Sequence, residues 1–424
     1  MNGYEKQVEF LDWEFGVFFH FGIRSFYPGH VDWDGREMPA EGFNPTELDC
    51  DGWCRAAKEA GATYAILTCK HHDGFALWPS AYSRYGVKES PWKDGKGDVV
   101  REFTDACRKN GLKVGLYYSP AQWGNFAIPF ENAKAYDDYF INQIGELLTN
   151  YGKIDYLWFD GCGSEGHEFD RARIVAEIGR MQPDILTFCD PEWTPGVRWI
   201  GNEDGYAPLA NPLVVSATDY SELSTEEQKL SRAAFLPSEC DAKIRATWFY
   251  DNNEDTLKSA DELFGMYEMS VGHGSNFLIN IGPDNRGRLP EADATRLAEL
   301  GQKIRKVYGQ HRPYTEAVKS GDVYTLRAAW CDEEGSGHNP ASDRLINRLV
   351  LKEDLTNGQH IKSFRIYAYL PQYKHKKILI YEGRTVGHKV ICPFGTIRAS
   401  RFEVEITSAD APHSLTDISA HFAP

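Results

Sequence analysis

The sequence predicts an α/β fold, a (β/α)8-type barrel over residues 1–312 followed by a C-terminal β-sandwich over residues 313–424. Short, almost continuously apolar runs alternate with amphipathic helical stretches through the first part of the chain, the rhythm of β/α units whose parallel strands are buried on both faces. Polar residues collect where those runs end, as they do where barrel strands build a site, and no GxGxxG turn follows the first run to favour a doubly wound sheet. Beyond "HRPYTEA" near residue 311 the texture changes to alternating strands broken by Gly, Asn and Pro turns.

The first strand is read in "FGVFFHFG" (15–22), the second in "YAILTC" (64–69) and the third in "KVGLYYS" (113–119). "YLWFDG" (156–161) and "ILTFCD" (185–190) continue the series, and "VRWIGNED" (197–204), "ATWFY" (246–250) and "NFLINIGP" (276–283) bring it to eight, enough to close a barrel. Between the second and third, "DVVREFTDACRKNG" sets Val99, Phe103 and Cys107 at helical spacing and finishes on Asn-Gly, a helix C-terminus. The sandwich strands are read in "RLINRLVLKEDL", "IKSFRIYAYL", "KKILIYEGRTVG" and "RFEVEIT", and the sandwich itself as a packing partner of the barrel. "GHGSNFLINIGPDNRGRLP" is rich in glycine but lacks GxxxxGK[ST], so it reads as a strand with its turn and not as a phosphate loop.

Acidic side chains outnumber basic ones 62 to 46, a formal charge of −16, and no Lys/Arg-rich run stands out. That balance argues against nucleic acid or an anionic membrane as partner and leaves a neutral substrate. The nine cysteines include no CxxC pair, so neither a disulfide framework nor a zinc ribbon is indicated. No apolar run of about 18 residues occurs, and "MNGYEKQVEF" lacks the apolar core of a signal peptide. A cytoplasmic location is therefore expected for the chain as it stands, and a periplasmic or secreted one if a leader has been trimmed.

The candidate chemistry sits at the strand ends. His20 follows the first strand, His71 and His72 the second, Tyr117 and Tyr118 lie in the third and Asp160 follows the fourth, so a barrel would gather them at one mouth. Adjacent histidines on an extended segment point to opposite faces, and neither His-x-His nor HExxH occurs, which argues against a metal. Neutral imidazoles, with Lys70, would instead bond the hydroxyls of a small polyol. Asp160 emerges from "IDYLWFDGCGSEG", and Glu203 follows the sixth strand in "VRWIGNEDGYA". One ionised and one protonated carboxyl is what cleavage of a glycosidic bond requires.

"FGVFFHFG", "YAILTCKHHDGFALWPS", "SPWKDGKGDVVREFTDACRKNGLKVGLYYSP", "YLWFDG" and "SVGHGSNFLINIGPDNRGRLP" together resemble the α-L-fucosidases of glycoside hydrolase family 29 over nearly the whole chain. "VRWIGNEDG" and "LPSECDAKIRATWFYDNNED" resemble the subgroup acting on α-1,3 and α-1,4 fucosyl branches. The resemblance implies a retaining exo-α-L-fucosidase needing no metal or organic cofactor, with Asp160 as nucleophile and Glu203 as acid/base. It implies that His20, His71 and His72 bind fucose hydroxyls, and that Tyr118, Trp158 and Trp248 line the sugar pocket.

Two segments depart from the pattern. Asp32-Trp33 in "HVDWDG" stands where a Glu-Trp is expected, which makes Trp33 a candidate contact to the glycan, and "SPAQWGNF" stands where many of that subgroup have SPWDRN. Glu239 in "LPSECD" is the next candidate acid. The alternatives are a glycosidase for a related sugar such as α-L-galactose, and a catalytically silent, lectin-like fucose-binding protein, disfavoured because both carboxylates are present.

Overall fold

In the structure, a computed structural model, residues 3–29, 31, 34–123, 132–164, 166–188, 195–219, 227–329, 344–371 and 376–424 are described. The apolar runs become parallel strands β1 (Phe15–Phe19), β2 (Tyr64–Lys70), β3 (Lys113–Tyr118), β4 (Tyr156–Phe159), β5 (Leu186–Phe188) and β6 (Gly196–Trp199). A hairpin, β7 (Val214–Asp219) and β8 (Glu227–Phe235), follows. Strands β9 (Ser238–Lys243) and β10 (Asn276–Ile281) then complete a closed eight-stranded barrel in the order β1-β2-β3-β4-β5-β6-β9-β10.

Helices α2 (Cys50–Ala60), α3 (Val99–Lys109), α4 (Ala133–Asn150), α5 (Arg171–Met181), α6 (Ala260–Ser270) and α7 (Glu291–Tyr308) lie along the chain between and after these strands. Their ends are written locally. Asp98 accepts from the Arg101 amide at the start of α3, and Gly61 takes the left-handed conformation that ends α2, with φ 99°.

The seventh strand is a correction. It is "SECDAK" and not "ATWFY" at 246–250, which forms bends and turns beyond it. β9 escapes an apolar-run reading because its alternation is inverted. Glu239, Asp241 and Lys243 face the lumen and its rim, while Cys240 and Ala242 face outward. The polypeptide then turns at Arg245, whose guanidinium pairs with buried Asp293 of α7 at 2.7–2.9 Å.

The lumen is filled by aromatic and aliphatic side chains from the strands, among them Phe18, Tyr64, Tyr117, Tyr156, Trp158 and Phe188. Helix α1 (Gly3–Trp13) plugs its lower end, packing Phe10 and Trp13 against Tyr64 and Tyr156 with ring centroids 5.3–6.3 Å apart. Glycine is required at position 16, because a Cβ there would stand 2.4 Å from the Tyr64 ring.

Helix α7 ends at Tyr308 and β11 (Val318–Ser320) begins the C-terminal part. With β12 (Val323–Arg327), β14 (Ile361–Tyr369), β15 (Lys377–Gly383) and β17 (Arg401–Ala409) it forms a five-stranded antiparallel sheet. β13 (Ile346–Glu353), β16 (Val390–Ile397) and β18 (Leu415–His421) form a three-stranded one, and both sheets contribute to one apolar core. The sandwich is tied to the barrel through Arg348 on Glu268, at 2.8 Å, and Lys389 on Glu14, also at 2.8 Å. No helix among the described residues is long and apolar enough to cross a membrane.

Candidate active site

Parallel strands deliver all their C-terminal ends to one rim, so residues following them converge. His20, His71 and His72 are all buried, with centroids 5.8 Å apart for His20–His71 and 4.1 Å for His71–His72. The hydrogen bonds around them make Nδ1 the donor in two of the rings. Asn280 donates its Nδ2 to the Trp248 carbonyl, so its Oδ1 accepts from His20 Nδ1 at 2.6 Å, which leaves Nε2 as the acceptor nitrogen when the ring is neutral. Ser119 gives its single hydroxyl proton to the Ala121 carbonyl, so it accepts from His72 Nδ1, also at 2.6 Å. His72 Nε2 is directed at Asp160 Oδ2 from 3.4 Å, so imidazole and carboxylate converge on the same point of the mouth.

Asp160 is oriented at both oxygens. The Tyr117 hydroxyl donates to Oδ2 at 2.7 Å and the Cys162 amide to Oδ1 at 2.9 Å. Tyr117 lies parallel to His71 (10°, 5.6 Å) and stacks on Trp158 at 5.3 Å, so the floor, the nearest imidazole and the carboxylate are one packed unit. Phe249 meets His71 and His20 edge-on at 5.0 and 5.3 Å, and Trp248 stacks on His20 at 4.8 Å.

Glu203 stands on the same rim, in the turn after β6, with its side chain 45% exposed. Lys243, at the end of β9, donates to its Oε2 at 2.6 Å and also lies 4.7 Å over the Trp248 ring. Contacts therefore run without a break from Glu203 through Lys243, Trp248, His20, His71 and His72 to Asp160. Below Lys243 on the same strand, Asp241 accepts from Trp199 Nε1 at 2.8 Å; burial and the Glu203 charge push its carboxyl well above the usual range.

Other expected residues lie elsewhere. Tyr118 faces the helix layer, where its hydroxyl donates to Gln143, and Tyr117 takes the lumen side because successive strand residues alternate. Lys70 also points outward, over Tyr118 at 4.1 Å and bonded to Gln122 at 2.8 Å, so it does not bond a ligand in the mouth. Burial holds its ammonium well below the usual lysine range. Asp73, the acid of "KHHDGF", turns back to Arg24 at 3.2 Å and to the Phe75 amide, bracing the loop. Glu239 is completely buried under Trp158, out of reach of the mouth. Trp33 lies outside the described residues.

His71, His72 and Asp160 place donor atoms within 4.8 Å of one another and are the set among the described residues that could hold a cation. The environment is chemically suited to an uncharged polyol as well, with imidazole nitrogens beside the rings of Phe249 and Trp248.

The sequence model of a family described as alpha-L-fucosidase matches residues 2–310. The chain belongs to the α-L-fucosidase family. It is similar to alpha-L-fucosidase 1 of Arabidopsis thaliana, 31% identical over 422 residues that cover 92% of this chain and 82% of that protein. Among solved structures, a glycoside hydrolase 29 family member from an unknown rumen bacterium aligns with TM-score 0.85 at 30% identity, over 99% of this chain and 77% of that one. A Ruminococcus gnavus GH29 fucosidase in complex with fucose shares the fold, with TM-score 0.80 at 24% identity over 99% and 94% of the two chains. As a member of the α-L-fucosidase family this chain is a glycoside hydrolase.

Four residues of this fucosidase mouth were not singled out from sequence: Ser119, Lys243, Phe249 and Asn280. Asn280 carried a usable signal, being one of two amides, with Asn276, among the apolar residues of the eighth strand. The others are ordinary residues until the barrel closes.

Proposed function

We propose that this fucosidase is a retaining, exo-acting enzyme that removes terminal α-linked L-fucose, from α-1,3 and α-1,4 branches, by double displacement. The observation that carries the mechanism is Asp160, fixed at both oxygens by Tyr117 and the Cys162 amide beside His72. A nucleophile needs such orientation, because attack requires its oxygen in line with the bond that breaks.

In the first step an Asp160 oxygen bonds to the anomeric carbon from the β face as the C–O bond to the aglycone breaks, and Glu203 gives its proton to the departing oxygen. In the second, Glu203 takes a proton from water, whose oxygen displaces Asp160 and restores the α configuration. Through Nε2, His20 and His72 accept from sugar hydroxyls, and the aromatic wall suits the C6 methyl of fucose. Lys243 fixes where the Glu203 carboxyl sits on the rim. The branch preference is supported by "VRWIGNEDG", the segment that carries Glu203.

Two measurements test this. A 2-fluorinated fucosyl fluoride should label Asp160 stoichiometrically, seen by peptide mass spectrometry, and proton NMR of early hydrolysis should show α-fucose first. Early β-fucose would overturn retention. Product analysis on α-1,2, α-1,3, α-1,4 and α-1,6 fucosyl oligosaccharides tests the linkage.

A further inference from the structure

Glu239 has no role in the mechanism above, yet it is a fully buried carboxyl at the centre of the barrel. Its Oε1 accepts from Trp158 Nε1 at 3.0 Å and from the Tyr156 hydroxyl at 3.1 Å, and its Oε2 accepts from the Tyr64 hydroxyl at 2.6 Å. Two strands, β2 and β4, and the floor of the mouth thus hang on one side chain of β9. Trp158 is clamped face to face, on Phe188 at 4.0 Å and 10° and on Tyr117 at 5.3 Å and 24°. Stacking limits the tilt of an indole but leaves it able to slide and turn in its own plane. A hydrogen bond to the ring N–H removes that freedom.

We infer that Glu239 is a positioning residue for the reaction: it pins the indole of Trp158, which seats Tyr117, whose hydroxyl orients Asp160. This role rests on Asp160 being the nucleophile. A buried hydrophobic residue would fill the space but would take from the Trp158 N–H the acceptor that fixes the indole in its plane. A neutral amide, by contrast, keeps the bond that fixes the indole and reverses the one to Tyr64. Its oxygen accepts from Trp158 and Tyr156 while its NH2 donates to the Tyr64 hydroxyl, which can accept as well as donate.

The test compares E239L with E239Q on an aryl α-L-fucoside, per mole of folded enzyme. E239L should lose about tenfold or more in kcat while the inhibition constant for fucose moves less than about threefold, because the imidazoles remain in place. E239Q should restore at least about a third of the wild-type kcat. The Y117F and E239L losses should also be strongly non-additive, since both act on the same hydrogen bond to Asp160. Wild-type kcat in E239L, equal losses in E239L and E239Q, or additive losses with Y117F would overturn the role. If E239L does not fold, W158F carries the test, since it keeps a ring in the stack and loses the N–H; full kcat in W158F is then the refuting result. D160N in the same assay separates the two levels. Turnover by D160N removes the nucleophile assignment itself, whereas an inactive D160N beside a fully active E239L removes only the positioning role.

Discussion

The Tyr117 hydroxyl donates to Asp160 Oδ2 across 2.7 Å, joining the lumen face of β3 to the residue that follows β4. Tyr117→Phe deletes this bond and leaves the ring stacked on His71 and Trp158. A hydrogen bond to a charged group contributes about 1.5–3 kcal/mol, so kcat on an aryl fucoside should fall by about ten- to a hundredfold. Steady-state kinetics checks this, with thermal unfolding to show that the variant is folded.

The carboxylates should fail in different ways. Asp160→Gly should lose activity on every substrate, and azide should rescue it to the β-fucosyl azide by a single displacement. Glu203→Ala should retain the first step on aryl fucosides with good leaving groups, and azide should give the α-fucosyl azide because two inversions restore configuration. NMR of the azide products decides the matter; β product from Glu203→Ala would reassign the acid/base.

Lys243→Met should separate substrates by their need for a proton. The variant keeps a chain of similar length near Trp248 but frees the Glu203 carboxyl from its 2.6 Å contact. Its kcat/KM should fall about tenfold on fucosyl oligosaccharides and less than about threefold on an aryl fucoside whose leaving group needs no protonation. Equal losses on both would assign Lys243 to the fold alone.

Glu239 should make stability depend on pH. Burial pushes its carboxyl up to about 7, against the pull of hydrogen bonds from Tyr64, Trp158 and Tyr156. The folded state therefore holds this proton more tightly than the unfolded chain does. Its contribution is complete below the ordinary glutamate value of 4.5 and is lost as pH rises to about 7, a swing of about 3 kcal/mol. Urea unfolding at about pH 4.5 and about pH 8 should show wild type losing that amount relative to E239Q, which carries no titrating group there.

His72→Ala should raise the inhibition constant of fucose about five- to tenfold, the size of one lost hydrogen bond. Incubation with a chelator should leave wild-type turnover unchanged. Loss of activity with a chelator, restored by zinc, would mean that His71, His72 and Asp160 hold a working metal.

Much of the barrel was legible in sequence because a strand buried on both faces is largely apolar, as in β1 and β4. The same logic hid β9, whose lumen face carries Glu239 and Asp241, residues that meet hydroxyl and indole donors from other strands. His20, His71, His72 and Asp160 were legible as a group because they follow successive apolar strands, ends that a barrel brings to one rim, whereas a single polar residue there, such as Asp73, can simply brace its loop. Which of Tyr117 and Tyr118 faces inward depends on strand register, and a pair of adjacent tyrosines carries no parity mark of its own. Lys70 was misassigned for the same reason, because its outward position beside Tyr118 follows from the alternation of β2.

The side chains that fill the lumen, with Phe10 and Trp13 of α1 packed beneath them, close the barrel below its mouth. Whatever enters the mouth must back out along the path it came by, and a glycan cannot be threaded through. Bond cleavage at such a dead end imposes a queue: the aglycone, lying nearer the exit, departs first, and fucose is the last molecule out. Free fucose should then compete with substrate for the empty enzyme, and the sugar's own accumulation becomes the brake on its release.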